Sequence, residues 1–201
     1  TPVGWARRAS LVTTAAWMAW GPVLVVVCAA GAIWIATDDS RTVDDTPARW
    51  LGAMGLVAAI AASLVWWQRD TSAEGGIAVD HFALFCHVLL SAAVLFWLTI
   101  SRGGVQGPRQ WALILLSVAA AMVAAAALDL VVLVTAVQAV SISAALLIAS
   151  HSGESGVRLA IREFVPAVVC GVVALYGVAL VYALTGTTRL DDVMMRVAAS
   201  S

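Results

Sequence analysis

The chain contains no lysine, and all eleven of its basic residues are arginine. One cause is GC-rich coding, which also fits the excess of alanine and valine. The chemical consequence is the same whatever the cause, because a buried lysine can lose its proton whereas an arginine stays charged. No basic side chain other than histidine can therefore exchange protons in this chain.

Charge of either sign is also scarce. Charged residues make up 11% of the 201 residues, against about 25% in a typical soluble domain. Hydrophobic residues make up 62%, and the mean hydropathy is +0.97. This is too little polar surface to cover a soluble globule, so lipid must cover the rest. The net charge of -1 argues against a nucleic-acid partner.

Cysteine is rare and shows no pattern. Cys28, Cys86 and Cys170 lie in separate apolar stretches and form no CxxC or metal-ligand spacing. We predict that they are small buried hydrophobic residues. The sequence shows no phosphate loop, haem-ligand pair, nucleophile–base set or metal cluster, so we expect no cofactor to be bound by this chain.

Long apolar stretches dominate the sequence, and a membrane-spanning helix needs about 20 such residues. The stretch from Trp111 to Ile148 is too long for one span, so we place a tight turn at its single charge, Asp129. The sequence predicts an all-α integral membrane protein with one transmembrane domain over residues 1–201. Its six predicted helices cover residues 16–37, 51–67, 79–101, 111–128, 130–148 and 162–184.

The arginines favour one orientation by a small margin. Cytoplasmic connections carry the excess of basic residues in membrane proteins. Six arginines flank the odd-numbered connections, namely Arg41, Arg49, Arg102, Arg109, Arg158 and Arg162. Five lie on the other side, namely Arg7, Arg8, Arg69, Arg189 and Arg196. The odd-numbered connections are therefore predicted to be cytoplasmic.

Ionisable groups inside a membrane are functional candidates by default. His87 lies about two turns into the third predicted helix and is either a hydrogen-bonded interior residue or a proton-transfer group. Asp129 is expected to cap the fifth helix at the interface, although it remains a candidate. Arg162 and Glu163 begin the predicted sixth helix, where a solvated interface pair is the simplest interpretation.

Gln138 lies near the middle of the fifth predicted helix. Thr135 and Ser141 lie three residues to either side, so we expect the three to share a face and to pack against another helix. Interhelical hydrogen bonding is the first interpretation, and a hydrated proton path is the second. A glutamine can hold a water chain, but it cannot release a proton at physiological pH.

Three stretches carry a resemblance to a known family: "VDHFALFCHVLL", "ALDLVVLVTAVQAVSIS" and "IREFVPAVVCGVVALYGVALVYALTGTT". They resemble, in order and at similar spacing, motifs of the N subunit of proton-pumping NADH:quinone oxidoreductase, respiratory complex I. Asp129, Leu130, Leu133, Ser141 and Ser143 fall in register with the second motif. The resemblance covers about residues 79–188, and it implies the leading helices of an antiporter-like subunit built on inverted repeats.

The resemblance also identifies departures from the family pattern. The family carries a glutamate where this chain has Gln138 and a lysine where it has Arg162, and the two are thought to form a coupled acid–base pair. Both replacements abolish useful proton exchange. His87 stands where the family often has lysine and remains titratable. The proton-path candidates are therefore Gln138, Arg162, His87, Asp129, Thr135 and Ser141.

Three functions are compatible with these features. The first is a membrane-arm subunit of a complex I-type oxidoreductase in a bacterial inner membrane, contributing to or scaffolding proton translocation among other membrane-arm subunits. NADH and quinone would then be handled by other subunits. The second is a structural accessory subunit of another respiratory or photosynthetic complex. An independent transporter is the weakest, because neither paired charges nor a second repeat is visible.

Overall fold

The structure, a computed structural model, describes residues 21–36, 45–67, 72–74, 77–100, 107–150 and 153–200. The described helices are α1 (Gly21–Ala36), α2 (Asp45–Trp66), α3 (His81–Ile100), α4 (Pro108–Ala125), α5 (Leu130–Ala149), α6 (Gly153–Thr185) and α7 (Leu190–Ser200). Two short strands, β1 (Ser72–Glu74) and β2 (Ile77–Val79), lie between α2 and α3. Parts of the predicted first and third helices (16–20, 37 and 101) and the connections at 38–44 and 102–106 lie outside the described residues.

Helices α2 to α6 are each long and apolar enough to cross a membrane, and α1 is a shorter apolar helix. This confirms the predicted all-α membrane fold with about six helices. The chain is a multi-pass membrane protein. Large apolar side chains on its outer surface are compatible with such a protein, because hydrocarbon rather than water surrounds them.

The sixth helix differs most from its predicted bounds. It begins at Gly153 rather than at residue 162 and runs for 33 residues, about 50 Å at 1.5 Å per residue. Its buried residues Gly156, Ala160, Gly171 and Val178 are spaced by 4, 11 and 7 residues, so they form one face. The helix is therefore longer than the roughly 30 Å of hydrocarbon. Its charged residues lie in its N-terminal segment.

Two elements were not predicted. The predicted loop "TSAEGG" contains β1, which pairs antiparallel with β2 so that Ser72 lies opposite Val79 and Glu74 opposite Ile77. The segment "TGTTRLDD" closes the sixth helix as predicted, and it then leads into α7, which was not predicted. Gly186 ends α6 in the left-handed region, with φ 70°, and its N–H donates to the Tyr182 carbonyl at 2.7 Å. Glycine adopts this helix-ending conformation without steric cost.

Helix α4 lies at the centre of the bundle and packs against α1, α2, α3 and α5. The main apolar core forms largely between α1, α2 and α4, around Val26, Leu56, Leu115 and Met122. Helix α6 packs mainly on α5 and lies at the edge, with most of its surface exposed. Candidate residues on α5 are therefore placed between the core and this outer helix.

Candidate functional site

Gln138 links α5 to α6. Its Nε2 donates to the Ala167 carbonyl at 3.1 Å, so the interhelical hydrogen bond predicted for this amide is observed. Its side chain lies over Gly171, where an added β-carbon would be 3.0 Å from Cγ and would overlap the amide itself. The missing side chain at 171 thus lets the amide lie against the α6 backbone.

Thr135 and Ser141 do not take part in this contact. The Thr135 hydroxyl donates to the Val131 carbonyl at 2.8 Å, and the Ser141 hydroxyl donates to the Val137 carbonyl at 3.1 Å. A short hydroxyl can bond the preceding turn of its own helix, whereas the longer amide reaches across to a neighbour. The three residues therefore do not dock together as the sequence suggested, and only Gln138 bonds another helix.

A groove of about 380 Å³ lies between α3, α4 and α5, with Cys86, Ala121, Ala124, Val137 and Ser141 among its lining residues. Its walls are almost entirely apolar. The one hydroxyl in the lining is already bonded within its own helix. The groove therefore provides no polar connection between Gln138 and the third helix.

Arg162 lies on the far side of α6 from Gln138. It precedes Gly171 by nine residues, and nine steps of about 100° place the two on opposite faces of the helix. Arg162 and its neighbour Glu163 are both exposed. The two positions that the resemblance relates to a coupled Glu/Lys pair are thus not brought together in this chain. Arg162 instead lies in the charged part of α6 that extends past the apolar segment.

His87 lies between α3 and α4 and is 1% exposed. Its Nε2 is 3.0 Å from the Met122 carbonyl. A carbonyl can only accept, so Nε2 carries the hydrogen in this bond. Met122 is in the last turn of α4, and its carbonyl also accepts from the Ala126 N–H at 3.2 Å, so one carbonyl oxygen serves two donors. The hydrogen-bonded interior position expected for His87 is therefore observed.

Asp129 caps the N-terminus of α5, because its Oδ1 accepts from the Val131 N–H at 2.8 Å. Its Oδ2 accepts from the Thr188 hydroxyl at 2.6 Å. The Thr188 hydrogen bond has the largest effect on the pKa of Asp129 and lowers it. Burial opposes this lowering, and the Val131 and Val132 N–H groups and the Arg189 charge add to it. The carboxylate is therefore ionised at neutral pH and joins the α4–α5 turn to the segment after α6.

Backbone hydrogen bonds strengthen the same junction. The Leu130 N–H donates to the Thr188 carbonyl at 3.0 Å, and the Leu190 N–H donates to the Leu128 carbonyl at 2.9 Å. On the other side of the turn, the Ala78 N–H donates to the Ala126 carbonyl at 2.8 Å. The hairpin, the α4–α5 turn and the α6–α7 connection thus meet at one end of the bundle.

Thr188→Val is expected to loosen this junction. It removes the donor to Asp129 at a cost of about 0.5–1.5 kcal/mol, and amide hydrogen exchange at Leu130 and Leu190 should accelerate. Thr135→Val is the control, because its hydroxyl bonds only its own helix. Equal exchange rates in the wild type and Thr188→Val would contradict the assignment.

The pH dependence of this junction follows from Asp129. Because the folded pKa of Asp129 lies below the unfolded one, the stabilisation that its ionised carboxylate gives the folded state is complete at neutral pH and is lost as pH falls through the lowered pKa.

The cysteines are less buried than predicted. Cys28 and Cys170 are exposed and Cys86 is half-buried. An apolar thiol on the outer face of a membrane helix meets hydrocarbon, so it needs no burial in protein. Among the described residues, no group of three or more His, Cys, Asp or Glu side chains could hold a metal ion.

The structure leaves the six predicted candidates dispersed. Gln138 faces α6, Thr135 is exposed, Ser141 lines the groove, His87 faces α4, Asp129 lies in a turn, and Arg162 faces outward. Their partners Ala167, Met122 and Thr188 were not predicted. Gly171 could have been predicted as a contact residue, because a small residue in a membrane helix favours close packing. No local feature of the sequence indicated that Asp129 would bond Thr188, which lies 59 residues further along the chain.

Comparison with known proteins gives several relatives of one kind. The chain is 34% identical to NADH-quinone oxidoreductase subunit N 2 of Streptomyces griseus over 125 residues, covering 57% of this chain and 24% of that protein. It is 26% identical to subunit N 2 of Rhizobium meliloti over 190 residues, covering 89% of this chain and 40% of that protein. The chain thus spans less than half the length of these relatives. No protein-family model matches it.

A solved structure shows the same fold. A chain of respiratory complex I from Thermus thermophilus superposes with a TM-score of 0.72 at 22% identity, covering 84% of this chain and 38% of that chain. The relatives also include subunit N of Trichlorobacter lovleyi, 29% identical over 155 residues, 72% of this chain and 31% of that protein. The resemblance predicted from three sequence motifs is confirmed: the chain is a divergent relative of NADH-quinone oxidoreductase subunit N, matched over part of that subunit's length.

Proposed function

We propose that the chain acts as a membrane-arm subunit of a complex I-type NADH:quinone oxidoreductase in a bacterial inner membrane. It scaffolds proton translocation, and Gln138 and Arg162 stand in place of the usual Glu/Lys relay. Similarity to subunit N and the shared fold support the assignment. NADH and quinone are handled by other subunits, and this chain binds no cofactor of its own.

The observation that carries the scaffolding role is the Gln138 contact. The amide donates to the Ala167 carbonyl and lies over Gly171. An ionised glutamate at this position could not donate to a carbonyl, so the contact suits a neutral donor. An amide does not titrate, and the arginine that replaces the lysine stays charged and faces away. The α5–α6 contact thus holds helices together without exchanging protons.

The outer surface of α6 supports an assembly role. Its exposed apolar side chains include Val165, Val172, Tyr176 and Leu180. These residues lie away from α5, the main packing partner of α6. A neighbouring membrane subunit or lipid can cover this surface without rearranging the contact with α5.

Co-purification tests the assignment. The full chain, tagged and expressed in its native membranes, is expected to co-purify with other antiporter-like subunits and a quinone-binding subunit. Recovery with a different respiratory or photosynthetic complex would instead support the accessory role. A monomer that transports ions in liposomes would contradict both assembly functions.

The relay is tested in the same purified complex. Gln138→Leu should leave the number of protons pumped per electron unchanged, because the amide does not take up or release a proton at physiological pH. Thr135→Val, on the same helix, is the matched control. A lower proton-to-electron ratio in Gln138→Leu, at an unchanged rate of electron transfer and with a normal Thr135→Val control, would show that position 138 does serve proton transfer.

A further inference from the structure

Two buried polar atoms on α3 have no hydrogen-bond partner among the described residues: Nδ1 of His87 and Oγ of Ser91. Their residues are 1% and 0% exposed. Residues four apart on a helix lie on one face, one turn from each other. The two atoms are therefore neighbours in the interior of a membrane-spanning helix bundle.

The third such atom among the described residues is Nε1 of Trp111, and it lies in a different part of the bundle from His87 and Ser91. Trp111 precedes Met122 by eleven residues on α4, which is about 16 Å along the helix. Its indole ring lies against that of Trp97, with centroids 6.3 Å apart. It is too far along the bundle to pair with the imidazole that contacts Met122.

The hydrogen-bonding needs of His87 and Ser91 are complementary. The bond to the Met122 carbonyl assigns the hydrogen to Nε2 of His87, so Nδ1 of the neutral ring carries a lone pair and needs a donor. The Ser91 hydroxyl carries a proton and needs an acceptor. One molecule that both donates and accepts satisfies the two atoms together.

Ser91 also differs from the other buried serines of the described chain. The Ser63 hydroxyl donates to the Ala59 carbonyl at 2.9 Å, and the Ser143 hydroxyl donates to the Ala139 carbonyl at 2.8 Å. Each bonds the preceding turn of its own helix. The Ser91 hydroxyl makes no such bond, so it remains available to a ligand beside His87.

We propose that His87 and Ser91 bind one buried water molecule, which donates to Nδ1 of His87 and accepts from the Ser91 hydroxyl. Buried waters in proteins typically pair with polar groups that lack protein partners, and leaving such groups unpaired in a low-dielectric interior is costly. The inference is independent of the proposed subunit function, because it rests only on the hydrogen-bonding requirements of these two side chains.

Solid-state NMR of the full chain, labelled with ¹⁵N-histidine in lipid bilayers, tests the site. His87→Phe identifies the His87 signals among those of the three histidines. We expect a protonated Nε2, an unprotonated Nδ1, and polarisation transfer from water to Nδ1. Ser91→Ala should reduce that transfer at least twofold, because the water loses one of its two partners. An unchanged Nε2 signal in this variant verifies that the bond to Met122 is intact.

Exposed His81 and buried Ser143 provide the controls. His81 should show water transfer in every sample, and Ser143→Ala should leave the His87 transfer unchanged because that hydroxyl already bonds its own helix. Absence of transfer to Nδ1 of His87 in the wild type, with His81 visible, overturns the proposal. A proton on Nδ1 in place of Nε2, or equal transfer in Ser91→Ala and the wild type, overturns it as well.

Discussion

Gly171→Ala is expected to force α5 and α6 apart or to expel the Gln138 amide from between them. A β-carbon at position 171 would overlap that amide, whereas one at Gly177 on the same helix would meet nothing within 4 Å. Inserting a methyl group into a packed contact costs about 1–3 kcal/mol. The free energy of unfolding of the full chain in detergent should therefore fall in Gly171→Ala and not in Gly177→Ala.

The substitution Gln138→Ala tests whether the cost of Gly171→Ala comes from overlap with the Gln138 side chain. Gln138→Ala alone loses the bond to Ala167, at a cost of about 0.5–1.5 kcal/mol, but it also removes the group that a side chain at 171 would meet. Gly171→Ala should therefore be far better tolerated in the Gln138→Ala background, giving a coupling energy of about 1 kcal/mol or more. Additive effects of the two substitutions would show that the residues do not pack against each other.

Gly55→Ala is expected to disrupt the contact between α1 and α2. An added β-carbon would lie 2.7 Å from the β-carbon of Ala29, far inside van der Waals contact. The Gln138 amide can rotate away from a new methyl group, but the Ala29 β-carbon is fixed to its backbone. The two helices must therefore move apart, which also loosens the core around Val26 and Leu56.

The loss in unfolding free energy should reach the upper part of the roughly 1–3 kcal/mol range for overpacking. Gly31→Ala is the matched control, because a β-carbon at this position on α1 would meet nothing within 4 Å. It should be neutral or stabilising, since alanine favours a helix over glycine by about 1 kcal/mol. Similar unfolding free energies for the two variants would mean that α1 and α2 do not approach closely at Gly55.

The sequence alone determined the class of fold and several local features. Apolar runs of about 20 residues cannot be covered by so few polar groups, so they must span lipid. The single charge in the run from Trp111 to Ile148 marked the α4–α5 turn, which the structure places at Asp129. The interhelical bond of Gln138 also followed from its type and position, because an amide within a membrane helix needs a partner.

Only the tertiary structure decided which polar residues meet. The resemblance relates Gln138 and Arg162 to a coupled Glu/Lys pair, but the helical offset between Arg162 and Gly171 places Arg162 on the side of α6 away from α5. Asp129 accepts a hydrogen bond from Thr188, and His87 donates to the Met122 carbonyl, 35 residues further along the chain. The helical period determines which residues share a face, but the arrangement of the helices determines what that face contacts. That arrangement depends on distant small residues such as Gly55 and Gly171, whose effect appears only when two helices are packed together.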